Sequence, residues 1–178
     1  MKILISSSQN ESIDGIYKES SRNLIKYLTE DKNTLVWGDG SKSIMGIAYE
    51  EFAKANLEIL GYTNPKYIGE IELLPKAKHE VVEDTFELKK VLFNQADLII
   101  ILPGGIGTIS ELFAYIEEMR SNDVRKNLII YDEYGHYKKL LELIEELIIK
   151  KFNNNSIYDY LHVAHNLDEF KTMYEKLK

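Results

Sequence analysis

The chain has 178 residues, 44% hydrophobic and 29% charged, which suits one soluble domain with an ordinary core. A formal charge of −7 argues against a broad nucleic-acid or anionic-membrane surface, and the lack of cysteine excludes disulfides and thiol catalysis. No stretch approaches the roughly 20 apolar residues of a membrane span, and the opening Met1–Ser6 is too short for a signal peptide; the expected location is cytoplasmic.

Lys2 to Ile5 is β-prone and opens the chain as a strand. Ser6-Ser7-Ser8-Gln9-Asn10 follows as a polar loop at its C-terminal end, where an open α/β sheet binds ligands. Ser7 and Ser8 are candidates for phosphate contact, and an ordinary serine-capped strand-to-helix loop reads them equally well. Ile16, Ser20, Leu24, Ile25 and Leu28 fall at helical spacing and predict a helix over about 14–30. Thr34 to Trp37 reads as the second strand, followed by the glycine turn Gly38-Asp39-Gly40-Ser41. Ile44 to Leu60 reads as a helix with Ile47, Phe52, Ala55 and Ile59 inward, stopped by Gly61. Tyr62 to Pro65 reads as a loop, Lys66 to Leu74 as containing a strand around Tyr67-Ile68-Gly69, and Pro75 to Asp84 as irregular and locally basic. Asp84 can cap a helix running to Gln95, with Leu88, Val91 and Leu92 as its apolar stripe.

The densest stretch comes next. Leu98 to Leu102 is an unbroken apolar run, as in a strand covered on both faces. Pro103 ends pairing, and Gly104, Gly105 and Gly107 permit a sharp turn and close approach of a ligand. Thr108 can cap a helix that continues through Glu111, Leu112, Ile116 and Met119. This order aims free N–H groups and a positive helix end at one point, where a phosphate is the usual occupant. Thr108-Ile109-Ser110-Glu111 also fits a capping box, so the Glu111 carboxylate has a structural reading to weigh against a chemical one.

Asn127 to Tyr131 reads as a further strand, Asp132 to Tyr137 as an aromatic loop, and Leu140, Leu141, Ile144, Leu147 and Ile148 as the face of a helix broken at Asn153 to Ser156. Tyr160 to Ala164 and Leu167 to Leu177 read as a last strand and a closing helix. His136, His162 and His165 show no metal-ligand spacing with carboxylates, so no metal or cofactor is expected. The alternation of strands and helices predicts an α/β fold over residues 1–178: a single Rossmann-like, doubly wound domain with a mostly parallel sheet.

Pro-Gly-Gly-x-Gly-Thr-x-x-Glu, here Pro103 to Glu111, resembles the signature of the LONELY GUY family, phosphoribohydrolases that cleave the base from nucleoside 5′-monophosphates. Its members often carry the label lysine decarboxylase, but nothing in this chain suggests pyridoxal phosphate chemistry. Gly38, Gly40, Ser41, Met45 and Gly46 match the family's second glycine-rich turn, whereas Asp39 and Ser43 stand where the family usually has glycine. An additional carboxylate beside a phosphate needs a cation or must point away, with Lys42 as the nearest cation in sequence. The family's arginine–lysine pair falls, by an ungapped count, on Leu88 and Lys89; Lys89 matches and Leu88 does not.

The resemblance implies a nucleoside monophosphate ligand held by Gly104, Gly105, Gly107, Thr108, Gly38, Gly40, Ser41, Met45, Ser7 and Ser8, with Glu111 and Lys89 as catalytic residues. It implies N-glycosidic hydrolysis to free base and ribose 5-phosphate, with a nucleotide-binding sensor on the same fold as the alternative because of Leu88. No nucleic-acid or membrane partner is expected. A homodimer is, because Phe113, Tyr115, Ile116 and Met119 give the motif helix more apolar faces than one sheet contact needs, and the family pairs through this region.

Overall fold

The computed structural model describes residues 1–122 and 124–178. Seven strands form one sheet: β1 (Lys2–Ser6), β2 (Thr34–Trp37), β3 (Ile59–Thr63), β4 (Lys78–Val81), β5 (Leu98–Ile101), β6 (Asn127–Tyr131) and β7 (Leu161–Ala164). Among the described residues six α-helices pack on it, five between strands and the last after β7: α1 (Gly15–Glu30), α2 (Ser43–Lys54), α3 (Thr85–Gln95), α4 (Ile106–Ser121), α5 (Lys138–Ile149) and α6 (Leu167–Leu177). The strand order is β4-β3-β2-β1-β5-β6-β7, and every pairing is parallel. The chain starts in the middle, winds outward one way, then returns to β5 beside β1 and winds the other way. This is the doubly wound α/β fold, with a sheet wholly rather than mostly parallel.

Strand alternation sorts the apolar side chains into two cores. Ile3, Ile5, Leu35, Trp37 and Ile100 face α1, α2 and α6, meeting Leu24, Phe52 and Phe170. Leu4, Val36, Ile99, Ile101 and Leu128 face the other layer, meeting Leu92, Leu112, Tyr115 and Met119 from α3 and α4. The central strands are covered on both faces, which is why they read as continuous apolar runs. No helix among the described residues is long and apolar enough to cross a membrane.

Several sequence expectations change between residues 44 and 84. The helix predicted to reach Leu60 stops at Lys54, and Ile59–Thr63 is a strand that contains Gly61 and Tyr62. The stop is a Schellman-type C-cap. Asn56 takes a left-handed φ of 53°, its N–H reaches the Ala53 carbonyl at 3.3 Å, and the Leu57 N–H reaches Phe52 at 3.1 Å. Ala55 is accordingly exposed, and Ala53 rather than Ala55 faces the core. Pro65–Leu73, expected to contain a strand, is a 3₁₀ segment with Pro65 in its first turn and the Asn64 side chain accepting from Lys66 N–H at 3.1 Å. The supposed loop 75–84 contains the edge strand β4. Ile16 of α1 faces solvent, in the first turn of a helix that the Asp14 side chain caps.

Candidate functional site

The strand order reverses between β1 and β5, and the connections leaving the C-terminal ends of these neighbours diverge to opposite faces. A cleft of ≈ 530 Å³ opens there, a volume suited to a small molecule. Of the residues assigned from sequence, Ser7, Ser8, Gly38, Met45, Gly105, Gly107, Thr108 and Glu111 line it; Gly40, Ser41, Gly104 and Lys89 do not. A larger hollow of ≈ 740 Å³ lies beside Phe152 and Asn153 after α5 and holds none of these residues.

Three loops build the cleft, and Ser8 ties them together. Its N–H donates to the Pro103 carbonyl at 3.1 Å, and its own carbonyl accepts from Met45 N–H at 3.2 Å. Its hydroxyl accepts from Asn10 N–H at 3.0 Å, a local turn contact, whereas the neighbouring Ser7 hydroxyl is buried without a partner. In the β2–α2 turn, the Met45 side chain lies against Gly40, where a Cβ would come within 2.7 Å of it. Asp39 and Ser43, at the positions the family usually fills with glycine, both take left-handed backbone angles, φ 53° and 52°. The turn keeps a glycine conformation with other residues in it, at a cost of about 1 kcal/mol each.

The Asp39 carboxylate meets His79 of β4 rather than Lys42, the nearest cation in sequence. Its Oδ1 lies 3.0 Å from His79 Nδ1, and His79 Nε2 lies 3.0 Å from the Leu74 carbonyl. A neutral imidazole has one N–H, so only imidazolium donates to both acceptors. Otherwise Asp39 itself carries the proton and donates to Nδ1. Burial pushes Asp39 up to about 6 despite the opposing pull of His79. Gly61 makes room for this carboxylate, since any Cβ there would overlap it. Neither His79 nor Gly61 was found from sequence as part of the site, because their role appears only when β3 and β4 lie beside β2.

On the other side, α4 begins at Ile106 with Gly105 as its N-cap, so Thr108 is inside the first turn and does not cap the helix. Thr108 instead packs on Gly104, where a Cβ would strike its side chain. The first-turn N–H groups, Ile106 to Thr108, have no intrahelical acceptor, and the positive end of α4 points into the cleft. The aromatic loop after β6 braces this turn from behind. His136 Nε2 donates to the Gly104 carbonyl at 2.8 Å, and the Tyr137 hydroxyl donates to the Leu102 carbonyl at 2.8 Å.

The capping-box reading of Glu111 does not hold. With α4 starting at Ile106, Glu111 lies in the second turn, and its carboxylate accepts a hydrogen bond from the Ser6 hydroxyl at the end of β1. Burial raises its pKa above the ordinary glutamate range, against Ser6 and the Lys89 charge, which both favour ionisation. Lys89 Nζ donates to Ser110 Oγ at 2.7 Å and lies over the Phe86 ring, while its neighbour Leu88 lines the cleft. The only basic residue lining the cleft, among those described, is Lys66. Ser6 was visible in the sequence only as the first polar residue after a strand; its pairing with Glu111 spans 105 positions.

The chain resembles known proteins along most of its length. A family model described as "Possible lysine decarboxylase" matches residues 45–173. A cytokinin riboside 5′-monophosphate phosphoribohydrolase of Mycobacterium marinum is 33% identical over 138 residues, 76% of this chain and 73% of that protein. One from Arabidopsis thaliana is 31% identical, and the match spans 63% of its length. Among solved structures, the molybdenum cofactor carrier protein of Chlamydomonas reinhardtii superposes with a TM-score of 0.70, covering 99% of this chain and 96% of that one. At 12% identity it speaks for the fold alone.

Proposed function

The chain belongs to the LONELY GUY family of phosphoribohydrolases, and from that premise we propose that it hydrolyses the N-glycosidic bond of a nucleoside 5′-monophosphate, giving free base and ribose 5-phosphate. The observation that carries this reading is the placement of Glu111. One carboxylate, steadied by Ser6, stands in the same cleft as the unpaired amides at the start of α4. The phosphate sits against those amides and the glycine turns. As the bond from ribose to base lengthens, positive charge builds on the sugar, and an ionised Glu111 stabilises it. Water supplies the hydroxyl to the sugar carbon and the proton to the departing base. Lys89 acts from the flank: its charge favours ionised Glu111, while its amine is held on Ser110.

Incubating the protein with adenosine 5′-monophosphate and separating free adenine tests the proposal. Adenine should accumulate with time, adenosine should yield none, and thermal stabilisation by the monophosphate should exceed that by adenosine. Equal stabilisation by both would remove the phosphate cradle from the argument.

The reading extends to a cytoplasmic homodimer. Tyr115, Ile116 and Met119, expected from sequence to face a partner, are buried within the subunit. On α3 and α4 the large apolar residues left exposed are Phe86 at the start of α3 and Ile106 and Phe113 of α4, at 78%, 84% and 36%. Pairing through this surface would place two clefts near one interface. Light scattering at micromolar concentration should give twice the 20.7 kDa chain mass; a monomeric mass would reject it.

A further inference from the structure

Ser41 was assigned to phosphate binding from sequence, yet it does not line the cleft. Its donors are already engaged. Glu70 Oε2 accepts from Ser41 Oγ at 2.8 Å, from Ser41 N–H at 3.3 Å, and from Gln9 Nε2 at 2.6 Å. Three donors, from the loop after β1 and the turn after β2, thus converge on one carboxylate oxygen supplied by a third segment. That is the arrangement an anion-binding site makes with its ligand.

The segment bearing Glu70 lies on the surface. Pro65–Leu73 contains no buried residue, and Tyr67, Ile68 and Leu73 stand exposed to solvent. Its two ends are fixed. At one, the Asn64 side chain bonds Lys66 N–H and the Glu83 carbonyl; at the other, Leu74 is buried and its carbonyl meets His79. Between these anchors, Glu70 ties the segment to Gln9, which lines the cleft, and to Ser41 just behind it, while Lys66 and Tyr67 themselves line the cleft.

We propose that Pro65–Leu73 is a strap across the cleft, and that its Glu70 carboxylate holds the Gln9 and Ser41 donors until a ligand's phosphate displaces it. The inference rests on the nucleotide reading above. A phosphate monoester carries nearly two charges and three acceptor oxygens, against one charge and two oxygens for the carboxylate, so it competes well. A nucleoside has no such group and leaves the strap in place. Glu70 thereby sets specificity: it makes release of the strap depend on the phosphate.

Glu70→Gln keeps the side-chain shape and removes the charge. Titration calorimetry should show adenosine 5′-monophosphate binding roughly tenfold tighter to this variant than to wild type, the worth of about one charge-assisted hydrogen bond, with adenosine unchanged. Trypsin cleavage after Lys66 in ligand-free protein should be faster in Glu70→Gln, and also in Glu70→Ala, than in wild type. Equal or weaker monophosphate binding by both variants, beside a wild type that binds, would overturn the strap and leave the nucleotide reading standing. Failure of wild type and variants alike to bind adenosine 5′-monophosphate, ribose 5-phosphate and inorganic phosphate would overturn both. Tighter binding of adenosine and its monophosphate by the same factor would also overturn it, since that would mark a general loosening of the cleft.

Discussion

Replacing Glu111 by glutamine is expected to lower release of adenine from adenosine 5′-monophosphate by a factor on the order of 10²–10³, with melting temperature close to wild type. Glutamine keeps an oxygen that can accept from the Ser6 hydroxyl, so the contact between β1 and α4 survives. What it loses is the negative charge, which a developing cation on the sugar requires. Because burial raises the Glu111 pKa, the acid limb of the rate profile should lie above the ordinary glutamate range: turnover falls as pH drops through that raised value and the carboxylate takes up its proton. Glu111→Ala should lose turnover to a similar degree and also stability, by about 1 kcal/mol, because Ser6 is left without its partner. Steady-state assays and thermal melts of both variants decide the matter. Unchanged turnover in Glu111→Gln would leave the carboxylate a structural contact and no more.

The largest effect on stability should come from Gly46→Ala. Gly46 lies in the first turn of α2, and its N–H donates to the Lys42 carbonyl at 2.9 Å. A Cβ there would stand 2.8 Å from the Ser41 carbonyl carbon and closer still to its oxygen. These are backbone atoms, so no rotamer change relieves the overlap, and the β2–α2 turn has to shift. The loss should be about 3 kcal/mol, at the upper end for an overpacked site, which lowers the melting temperature of a chain this long by roughly 6–12 °C. Gly15→Ala is the control, since α1 offers it open space with nothing within 4 Å, and should be neutral or slightly stabilising. A melting temperature for Gly46→Ala within about 2 °C of wild type would show that the turn tolerates displacement.

Elements whose local pattern agreed with their tertiary setting were legible in the sequence. Leu98 to Ile101 and Thr34 to Trp37 are buried on both faces and read as apolar runs; α3 and α6 carry Asp84 and Asn166 as side-chain caps. The misread region, 44–84, is where the pattern was ambiguous or absent. Ile59 falls at helical spacing from Phe52 and looked like one more turn, although Asn56 had already ended the helix. Tyr67 and Ile68 look β-prone but project into solvent. β4 is polar because it is an edge strand with little to bury, so no alternation marks it. The glycine motif announced the cleft; Ser6, His79 and Glu70 did not announce themselves. Each acts on a residue 29 or more positions away, and no local spacing rule reaches that far.

The two hydrogen bonds of the Ser8 backbone also constrain how chain length can vary. Connections at one end of an open α/β sheet ordinarily absorb insertions and deletions with little penalty. Here one residue takes its acceptor from the loop after β5 and gives its carbonyl to the turn after β2. An added residue between Ser6 and Ser8, between Gly38 and Met45, or between Leu102 and Gly104 would pull one of these bonds out of register and shift all three loops together. The tolerance for length differences should therefore lie away from these three loops, as in the exposed connection after α5.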